Sequence, residues 1–361
     1  MKNTFENIII TNSKGYFFSF EYNSLFEMDM DSFSTHLLTN YERKLGYKER
    51  LFANLKMYND WIILIPMSAD EVFAYNVETK EKKHIELPLV ECEYKESAKF
   101  FDAYIVKDSL FVIGHGCPYI LELSLITWDL KKSVNLSYDY KDALKNGQDI
   151  FRYGVRVGES IILPSAADND VYVFNTMDRS IRKKTIEKKT KGFSCAFSTD
   201  CALYMVSTCS NDITKCGYEI DDCRNISFDN NSKEVSYPLL YSSCLKYANY
   251  EVIIPLWDND VILFDESTMN IKRISVLPVI DGRPLIITPI RCGFVYNNNF
   301  YIVSGYNGDV FTLDLEQMSL LPLDKRITIN DKLQSDYSLG IVYEDRDYGI
   351  NDFINDMKIL L

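Results

Sequence analysis

The sequence predicts an all-β protein, a seven-bladed β-propeller of four-stranded antiparallel blades with a short C-terminal helix. Three observations predict this fold. A hairpin of two apolar strands recurs along nearly the whole chain, the copies follow one another at a nearly constant spacing, and the 25 Tyr and 21 Phe residues favour strands over helices.

The clearest copy of the hairpin covers residues 250–265. An apolar strand runs to Pro255, a polar turn follows over residues 257–260, and a second apolar strand stops at Asp265. A single hairpin with apolar faces is not stable in water, whereas stacked copies bury each other's surfaces. We therefore interpret the hairpin as part of a repeat unit.

The residue that ends the second strand of each hairpin marks the repeat. These marker residues are Asp29, Asn76, Ser124, Asn175, Asp221, Asp265 and Asp314, and they are separated by 47, 48, 51, 46, 44 and 49 residues. One apolar strand precedes each hairpin and a more polar strand follows it. Four antiparallel strands in about 45–50 residues are typical of one propeller blade, whereas the coils of an open β-solenoid, the alternative, are usually shorter.

The repeats predict one propeller domain over residues 1–330 and a tail over residues 331–361. Apolar residues in the tail recur at helical spacing, at Ile350, Phe353, Ile354, Met357 and Leu361. This spacing predicts an amphipathic helix over about residues 348–361. We expect the helix to pack against the propeller, and the alternative is that it docks on a partner protein.

The formal net charge of −13 makes phosphate-rich partners unfavourable, so neither nucleic acid nor membrane is expected as a partner. No apolar stretch reaches the length of a signal peptide or a membrane-spanning helix. The nine Cys residues, an odd number without Cys-x-x-Cys spacing, indicate reduced thiols and a cytoplasmic protein, which we expect to be a monomer.

Five of the cysteines cluster in the fifth copy of the repeat, at Cys195, Cys201, Cys209, Cys216 and Cys223. Their spacing fits no zinc-binding pattern. We expect them to be small buried strand residues, and no metal site is predicted.

Two copies of the repeat resemble kelch repeats. Residues 300–314 contain an apolar strand followed by Gly305, and residues 110–116 contain an apolar strand that ends in Gly114 and Gly116, followed by Trp128. Kelch repeats end their second strand in paired glycines and carry a Trp in the fourth strand, whereas other copies here have Pro66, Pro164 or Pro255 near the second strand's end. The resemblance covers about residues 5–325 and implies seven blades rather than any particular kelch activity.

First strands line the central channel of a propeller, so polar residues at matching points of these strands are candidate ligand contacts. One such position per copy gives a predicted ring of Asn7, Asn54, Asp102, Arg152, Ser194, Ser243 and Arg291. Arg152 and Arg291 would donate hydrogen bonds to an anion or to sugar hydroxyls, and we expect their side chains to be partly solvated. The alternative is a solvated channel mouth without a ligand, and a register error of one residue would turn each side chain to the opposite face.

The turns that join second to third strands open on the same face. Their polar and aromatic residues are further candidates: Ser68, Asp70, His115, Asp168, Asp170, Trp257, Asp258, Asp260, Tyr306 and Asn307. Trp257 would stack on a sugar ring or a peptide, or alternatively pack on the neighbouring blade. Turn chemistry explains the two Asp-Asn-Asp triplets without a bound cation.

No catalytic residue and no cofactor is predicted. The chain has three His residues, and His36 and His84 lie in predicted fourth strands, far from His115. None of the common hydrolase, phosphate-loop or metalloprotease motifs is present. The sequence therefore favours a non-catalytic binding module that presents one face to a protein, a peptide or a glycan. The alternative is a carbohydrate-active enzyme (a lyase, hydrolase or sugar isomerase) that uses carboxylates and arginines.

Overall fold

The computed structural model describes residues 5, 7–20, 23–41, 51–87, 99–136, 140, 149–188, 192–227, 241–256, 260–275, 290–304 and 308–327. In these ranges the strands form seven antiparallel sheets of four consecutive strands each. The prediction of a seven-bladed β-propeller is therefore confirmed. The predicted C-terminal helix lies outside the described residues.

The first four blades contain sixteen strands: β1 (Ile9–Thr11), β2 (Lys14–Ser19), β3 (Ser24–Asp29) and β4 (Thr35–Asn40) in blade one; β5 (Phe52–Tyr58), β6 (Trp61–Pro66), β7 (Glu71–Asn76) and β8 (Lys82–Glu86) in blade two; β9 (Phe100–Val106), β10 (Ser109–Gly114), β11 (Tyr119–Ser124) and β12 (Leu130–Asn135) in blade three; β13 (Val155–Val157), β14 (Ser160–Pro164), β15 (Asp170–Asn175) and β16 (Ile181–Thr185) in blade four.

The last three blades contain twelve strands: β17 (Phe193–Ser198), β18 (Leu203–Ser207), β19 (Asp212–Cys216) and β20 (Arg224–Ser227) in blade five; β21 (Tyr241–Tyr247), β22 (Tyr250–Pro255), β23 (Asp260–Asp265) and β24 (Asn270–Ser275) in blade six; β25 (Ile290–Tyr296), β26 (Asn299–Ser304), β27 (Asp309–Asp314) and β28 (Ser319–Arg326) in blade seven. We call the face where first strands begin the mouth face and the opposite one the base face.

The second strand of each blade is apolar on both sides because it is buried on both sides. In blade two, Ile62 and Leu64 pack against blade one, whereas Ile63 and Ile65 pack against blade three. All four are fully buried. Since successive side chains of a strand point to opposite faces, the two interfaces together require an uninterrupted apolar run.

Among the described residues, each of the seven interfaces between neighbouring blades contains an apolar cluster. The cluster that closes the ring joins Phe294 and Val303 of blade seven to Phe17 and Phe26 of blade one. Each described blade consists of four consecutive strands. In the described part of the chain, no strand is shared between the first and last blades, and the ring closes mainly through the side chains of this cluster.

Six of the seven marker residues end a third strand, as predicted, because their side chains stabilise the turn to the fourth strand. In blade six, Asp265 Oδ1 accepts hydrogen bonds from the backbone N–H of Ser267 at 2.9 Å and from its hydroxyl at 2.7 Å. In blade two, Asn76 Oδ1 accepts them from the N–H groups of Glu78 and Thr79, at 3.0 and 2.8 Å. These are Asx-turns, which explains why Asp and Asn recur at this position.

The fourth residue after each of these six markers has a left-handed backbone. These residues are Phe33, Lys80, Trp128, Arg179, Met269 and Met318, and their φ angles lie between 49° and 63°. In blade two, the N–H of Lys80 donates to the carbonyl oxygen of Asn76 at 2.9 Å, which closes the turn. Trp128 is therefore a turn residue and not a fourth-strand residue, which corrects one detail of the kelch resemblance.

The marker of blade five was assigned wrongly to Asp221. The third strand ends at Cys216, and the turn is closed by the N–H of Gly217, which donates to the carbonyl oxygen of Asp221 at 3.0 Å. Residues 217–220 alternate like a strand in sequence, but Ile220 has a φ of 58°, which ends any extended run.

A disulfide between Cys216 and Cys223 spans this blade-five turn. The expectation that all thiols are reduced was therefore wrong for this pair. The expectation of burial was also wrong for Cys201 and Cys223, which are exposed. The sequence did not reveal this pairing, because the turn that brings Cys216 and Cys223 together was interpreted as a strand.

No helix in the described part of the chain has the length and the apolar composition needed to span a membrane.

We expect Ile253→Ala to lower the free energy of unfolding by roughly 2–5 kcal/mol, since it leaves a cavity in the cluster between blades five and six, where Ile253 is fully buried. Urea denaturation measures the change. The matched control is Ile126→Ala, because Ile126 is 69% exposed and should change stability by about 0.5 kcal/mol or less. Equal losses in both variants would contradict the assignment of the core.

The blade-six turn predicts a specific pH dependence. Hydrogen bonds from the hydroxyls of Ser267 and Thr268 hold the pKa of Asp265 below its usual value. The ionised carboxylate therefore stabilises the fold above the unfolded-state pKa, about 3.9, and this contribution is lost as pH falls through the lower folded-state pKa.

Asp265→Asn keeps an oxygen acceptor but removes this titration. We expect the parent to be more stable than the variant near neutral pH, and the difference in unfolding free energy to shrink in acid. Chemical denaturation of both proteins, near neutral pH and in acid, measures this difference in unfolding free energy. A difference that is constant with pH would show that the charge of Asp265 contributes nothing to the turn.

Candidate functional site

The first strands of the blades lie nearest the channel axis, since those of neighbouring blades contact each other, as β5 contacts β9 and β17 contacts β21. Near the mouth face, a buried residue of the first strand pairs with the end of the second strand. These anchor residues are Phe52, Phe100, Phe151, Phe193, Tyr241 and Ile290 in blades two to seven. Their repeated position fixes the register of the channel wall.

One extra residue follows the anchor and forms a β-bulge. In blades two, three, five, six and seven the bulged residues are Ala53, Phe101, Ser194, Ser242 and Arg291. In blade four the register advances by one residue between Phe151 and Val155, and Arg152 directly follows the anchor.

The predicted ring therefore mixes two neighbouring positions. Asn54, Asp102 and Ser243 make the first pair after the bulge, whereas Ser194 and Arg291 lie in the bulge itself. The residues that match Asn54 in blades five and seven are Cys195 and Cys292. The bulge caused this error, because one inserted residue shifts the register without changing the apolar pattern that was used to align the copies.

The matching position is occupied by touching polar side chains in blades one to three. Asn7 Nδ2 donates to Asn54 Oδ1, and Asn54 Nδ2 donates to Asp102 Oδ1 at 3.0 Å. Lys56 Nζ lies 2.7 Å from the same Asp102 oxygen. We call Asn7, Asn54, Asp102 and Lys56 the polar row. It joins three blades in the channel wall, and three of its members, Asn7, Asn54 and Asp102, belong to the predicted ring.

Tyr104 lies beside the polar row. Its hydroxyl is buried, and burial, followed by the charge of Asp102, raises the pKa of Tyr104 well above its usual value. Lys56 Nζ lies 5.6 Å from the centroid of its ring. Tyr104 is therefore neutral over the physiological range, and Asp102 and Lys56 supply the charges of this part of the channel wall.

Three polar side chains, two of them buried and one half-buried, meet at the mouth face between blades three and four. His115 Nε2 lies 2.9 Å from Asp149 Oδ1, and Arg152 Nη2 lies 3.1 Å from Asp149 Oδ2. His115 Nδ1 lies 2.6 Å from the carbonyl oxygen of Phe151. We call His115, Asp149 and Arg152 the mouth network.

Asp149 is the centre of the mouth network. Both ring nitrogens of His115 face oxygen acceptors, one of which is Asp149 Oδ1. Burial alone would raise the pKa of Asp149, but the charges and hydrogen bonds of His115 and Arg152 outweigh burial and hold that pKa below its usual value. The carboxylate is therefore shared by the side chains of His115 and Arg152.

Arg152 is 4% exposed, so the expectation that its side chain is partly solvated was wrong. Its guanidinium carbon lies 5.5 Å from the ring centroid of Phe101, and the Phe101 ring also contacts the rings of His115 at 5.0 Å and Tyr153 at 5.1 Å. The neighbouring aromatic rings and the pairing with Asp149 explain how a cation can be buried here.

Backbone hydrogen bonds join the mouth face from blade two to blade four. In order along the ring, Met67 N donates to Leu51 O at 2.8 Å, Lys99 N to Met67 O at 2.7 Å, His115 N to Lys99 O at 2.9 Å, Ile150 N to His115 O at 2.8 Å and Ala166 N to Ile150 O at 2.8 Å. His115 and the residue that follows Asp149 both belong to this chain of bonds. The mouth network is therefore built on a fixed backbone frame.

The other predicted residues are dispersed. Ser194 is fully buried, and its hydroxyl donates to the carbonyl oxygens of Val206 and Ser207 at 3.3 and 3.4 Å. Ser243 is half-buried. Asp168 Oδ1 accepts from the N–H of Asp170 at 2.9 Å, which agrees with turn chemistry.

Three further candidates from the second-to-third-strand turns make ion pairs or lie beside the mouth. Asp70 pairs with Lys99, and Asp260 lies 3.6 Å from Arg273. Ser68 follows Met67 at the mouth face. Trp257, Asp258, Tyr306 and Asn307 lie outside the described residues, and Arg291 is placed only by its backbone in β25.

Sequence reasoning missed Asp149, Lys56 and Lys188. Lys56 follows Asn54 by two residues, so strand alternation could have found it. Asp149 lies in the connection before the anchor residue Phe151, where the sequence has no periodic pattern that could have revealed it. Lys188 is buried near the mouth face, where its Nζ donates to Gly192 O and Ser207 Oγ, both at 3.2 Å, and burial lowers the pKa of Lys188 to about 8.

In the part of the chain that the structure describes, no group of three or more His, Cys, Asp or Glu side chains could hold a metal ion. The arrangement offers instead a half-buried aromatic ring at Tyr153, a half-buried ammonium at Lys56 and amide groups along the polar row.

No protein-family model and no curated protein matches the sequence. Solved structures match the fold. A catalytically inactive virginiamycin B lyase from Staphylococcus aureus with quinupristin is 11% identical, with a TM-score of 0.62, and the match covers 84% of this chain and 92% of that one.

Two further solved structures match at similar levels. Hsv2 from Kluyveromyces lactis is 9% identical, with a TM-score of 0.54 and coverage of 90% of this chain and 100% of that one. U3-55K is 12% identical, with a TM-score of 0.55 and coverage of 78% and 82%. At these identities the similarity shows the propeller fold alone. These neighbours are propellers of other families, and the kelch-like assignment is not confirmed.

Proposed function

We propose that this protein is a non-catalytic binding module that presents its mouth face to a protein, a peptide or a glycan. Loops of several blades converge on that face, and a rigid frame with loops at its end is a common basis for ligand binding. The half-buried side chains of Asn7, Lys56 and Tyr153 supply the contacts. The mouth network lies close to Tyr153, because the ring of Phe101 contacts both His115 and Tyr153.

The observation that carries the proposal is the engagement of both nitrogens of His115. A general acid or base needs a nitrogen or oxygen within hydrogen-bond reach of its substrate. Nδ1 of His115 is bonded to Phe151 O and Nε2 to Asp149, and the residue is 2% exposed. The ring therefore has no nitrogen left for a substrate, and its role is to hold Asp149 and the backbone of blade four in place.

The chemistry of the ligand follows from the half-buried groups. An aromatic ring beside amide and ammonium donors suits a peptide backbone or a sugar ring, both of which combine a flat or apolar surface with oxygen acceptors. Among the described residues, Nε of Arg152 has no hydrogen-bond partner. An oxygen atom of a ligand that reached this point would satisfy a buried donor.

The alternative function is a carbohydrate-active enzyme, and it would need two carboxyl groups facing each other near Arg152. Among the described carboxylates, Asp149 contacts Arg152, and His115 holds the same carboxylate. A carboxylate that is paired with an arginine, hydrogen-bonded to a histidine and held at a lowered pKa is a weak proton donor and a weak nucleophile. The observed contacts therefore favour binding over turnover.

The mouth face is tested with a double variant, Asn7→Ala with Tyr153→Ala. Binding to a displayed random peptide library and to a glycan array is compared with that of the parent. The control is Ile126→Ala with Met177→Ala, because both side chains are exposed in turns of the base face. We expect peptides or glycans selected by the parent to bind the mouth variant about tenfold or more weakly, equivalent to about 1.4 kcal/mol, and the control unchanged.

Equal binding of parent and mouth variant would place the site elsewhere. Glycans recovered after incubation are analysed by mass spectrometry, and cleavage or isomerisation by the parent would replace the binding function with the enzymatic alternative. The melting temperature of each variant is measured first, so that loss of binding is not confused with loss of folding.

Arg152→Ala should destabilise the fold rather than only weaken binding. It removes one partner of a buried ion pair, which typically costs roughly 3–5 kcal/mol. The control is Arg182→Ala, whose exposed ion pair with Glu219 should contribute less than about 1 kcal/mol. Urea denaturation measures the loss of unfolding free energy in both variants. A small change for Arg152→Ala would mean that the mouth network is not a structural support.

A further inference from the structure

Two thiols touch across the interface between blades five and six. Cys195 lies on β17 and Cys244 on β21, and their sulfur atoms are 3.3 Å apart. Both strands are first strands, and β17 and β21 contact each other beside the channel. Cys195 is almost fully buried and Cys244 is half-buried.

The position of this pair in the repeat explains the contact. Cys195 matches Asn54 and Asp102, since each makes the first pair after the bulge of its blade. In blades one to three, side chains at this position reach from blade to blade and form the hydrogen-bonded polar row. In blade five the same position carries a thiol, and it meets Cys244, the residue after the matching position in blade six.

We propose that Cys195 and Cys244 are an oxidation site, at which hydrogen peroxide forms a disulfide that crosslinks blades five and six in the channel wall. A disulfide requires the sulfur atoms to move from 3.3 Å to about 2.05 Å. The approach of about 1.2 Å is within the reach of side-chain rotation and a small strand shift, because the two first strands are already neighbours.

The reaction has two steps. The sulfur of Cys244, the more exposed of the two, attacks one peroxide oxygen; the O–O bond breaks, and water leaves together with the thiol proton, which gives a sulfenic acid. The sulfur of Cys195 then attacks that of Cys244; the S–O bond breaks, and a second water leaves with the proton of Cys195. Overall, two thiols and one peroxide give one disulfide and two waters.

The environment of the two thiols determines how fast the disulfide forms. Burial, together with the contact to Cys195, raises the pKa of Cys244 well above its usual value, so little thiolate exists near neutral pH. Since the thiolate is the reactive form, the crosslink should form slowly at neutral pH and faster as pH rises. Exposed Cys201 is not part of this pair, and Cys216 and Cys223 are already bonded to each other.

The crosslink would act on the channel wall itself. Ser194 and Ser243, two residues of the predicted ring, directly precede Cys195 and Cys244 in the chain. Drawing the two sulfur atoms together draws these backbone segments together. Oxidation would therefore couple the redox state of the surroundings to the shape of the channel between blades five and six.

The experiment treats the full-length protein with hydrogen peroxide, blocks the remaining thiols and maps peptides by mass spectrometry. The expected result is a crosslinked peptide pair containing Cys195 and Cys244, lighter than its two components by two hydrogen atoms, which forms faster at higher pH. The oxidised protein should melt at a higher temperature than the untreated one, because a disulfide restricts the unfolded chain. A thiol reductant should reverse both changes.

Cys244→Ser is the variant that removes the site, and it should show no gain in melting temperature under peroxide. Cys201→Ser is the matched control, and it should form the crosslink as the parent does. Recovery of Cys195 and Cys244 as blocked thiols, at a dose of peroxide that oxidises Cys201, would overturn the proposal. A crosslink of Cys244 to a different cysteine would overturn it as well. The peptide map of the parent gives this answer even if Cys244→Ser does not fold.

Discussion

The packing of one blade against the next is the interaction on which the rest of the structure depends. Each second strand is apolar on both faces because it belongs to two interfaces, as Ile63 and Leu64 of blade two do. Burial of such surface is the main favourable term in folding, and it is available to a blade only when both neighbours are present. The ring is therefore one cooperative unit, although its repeats are local in sequence.

This constraint also explains how buried charge is tolerated. The interfaces are filled largely by apolar side chains, so buried ionic groups occur in compensated sets, both near the mouth face and elsewhere in the blades, as Glu122 does with Arg179. His115, Asp149 and Arg152 form such a set, and Asp102 with Lys56 forms another. Each set joins side chains of different blades or connections. Its hydrogen bonds and ion pairs are directional, whereas the apolar packing of the interfaces is not.

The number of blades, the strand order and most turn positions could be predicted from the sequence, because they depend on apolar period and on Asx-turns such as that of Asp265. The register of the first strands could not be predicted from the sequence. A bulge adds one residue without a change in apolar pattern, so Ser194 was placed where Cys195 lies. Asp149 was missed for a different reason: it lies in a connection, where no period constrains it, and only the folded chain brings it to His115.

The closure of the ring has a consequence for how the chain can be rearranged. The terminal blades meet through side chains such as Phe294 and Phe17, and Phe5 and Ile327 lie in the same apolar cluster. Each of the seven described blades consists of four consecutive strands, so no described sheet depends on the order in which the blades are connected. The seven interfaces are thus equivalent in kind, and a circularly permuted gene that joins the present ends and opens the chain between two other blades would encode the same set of intact blades.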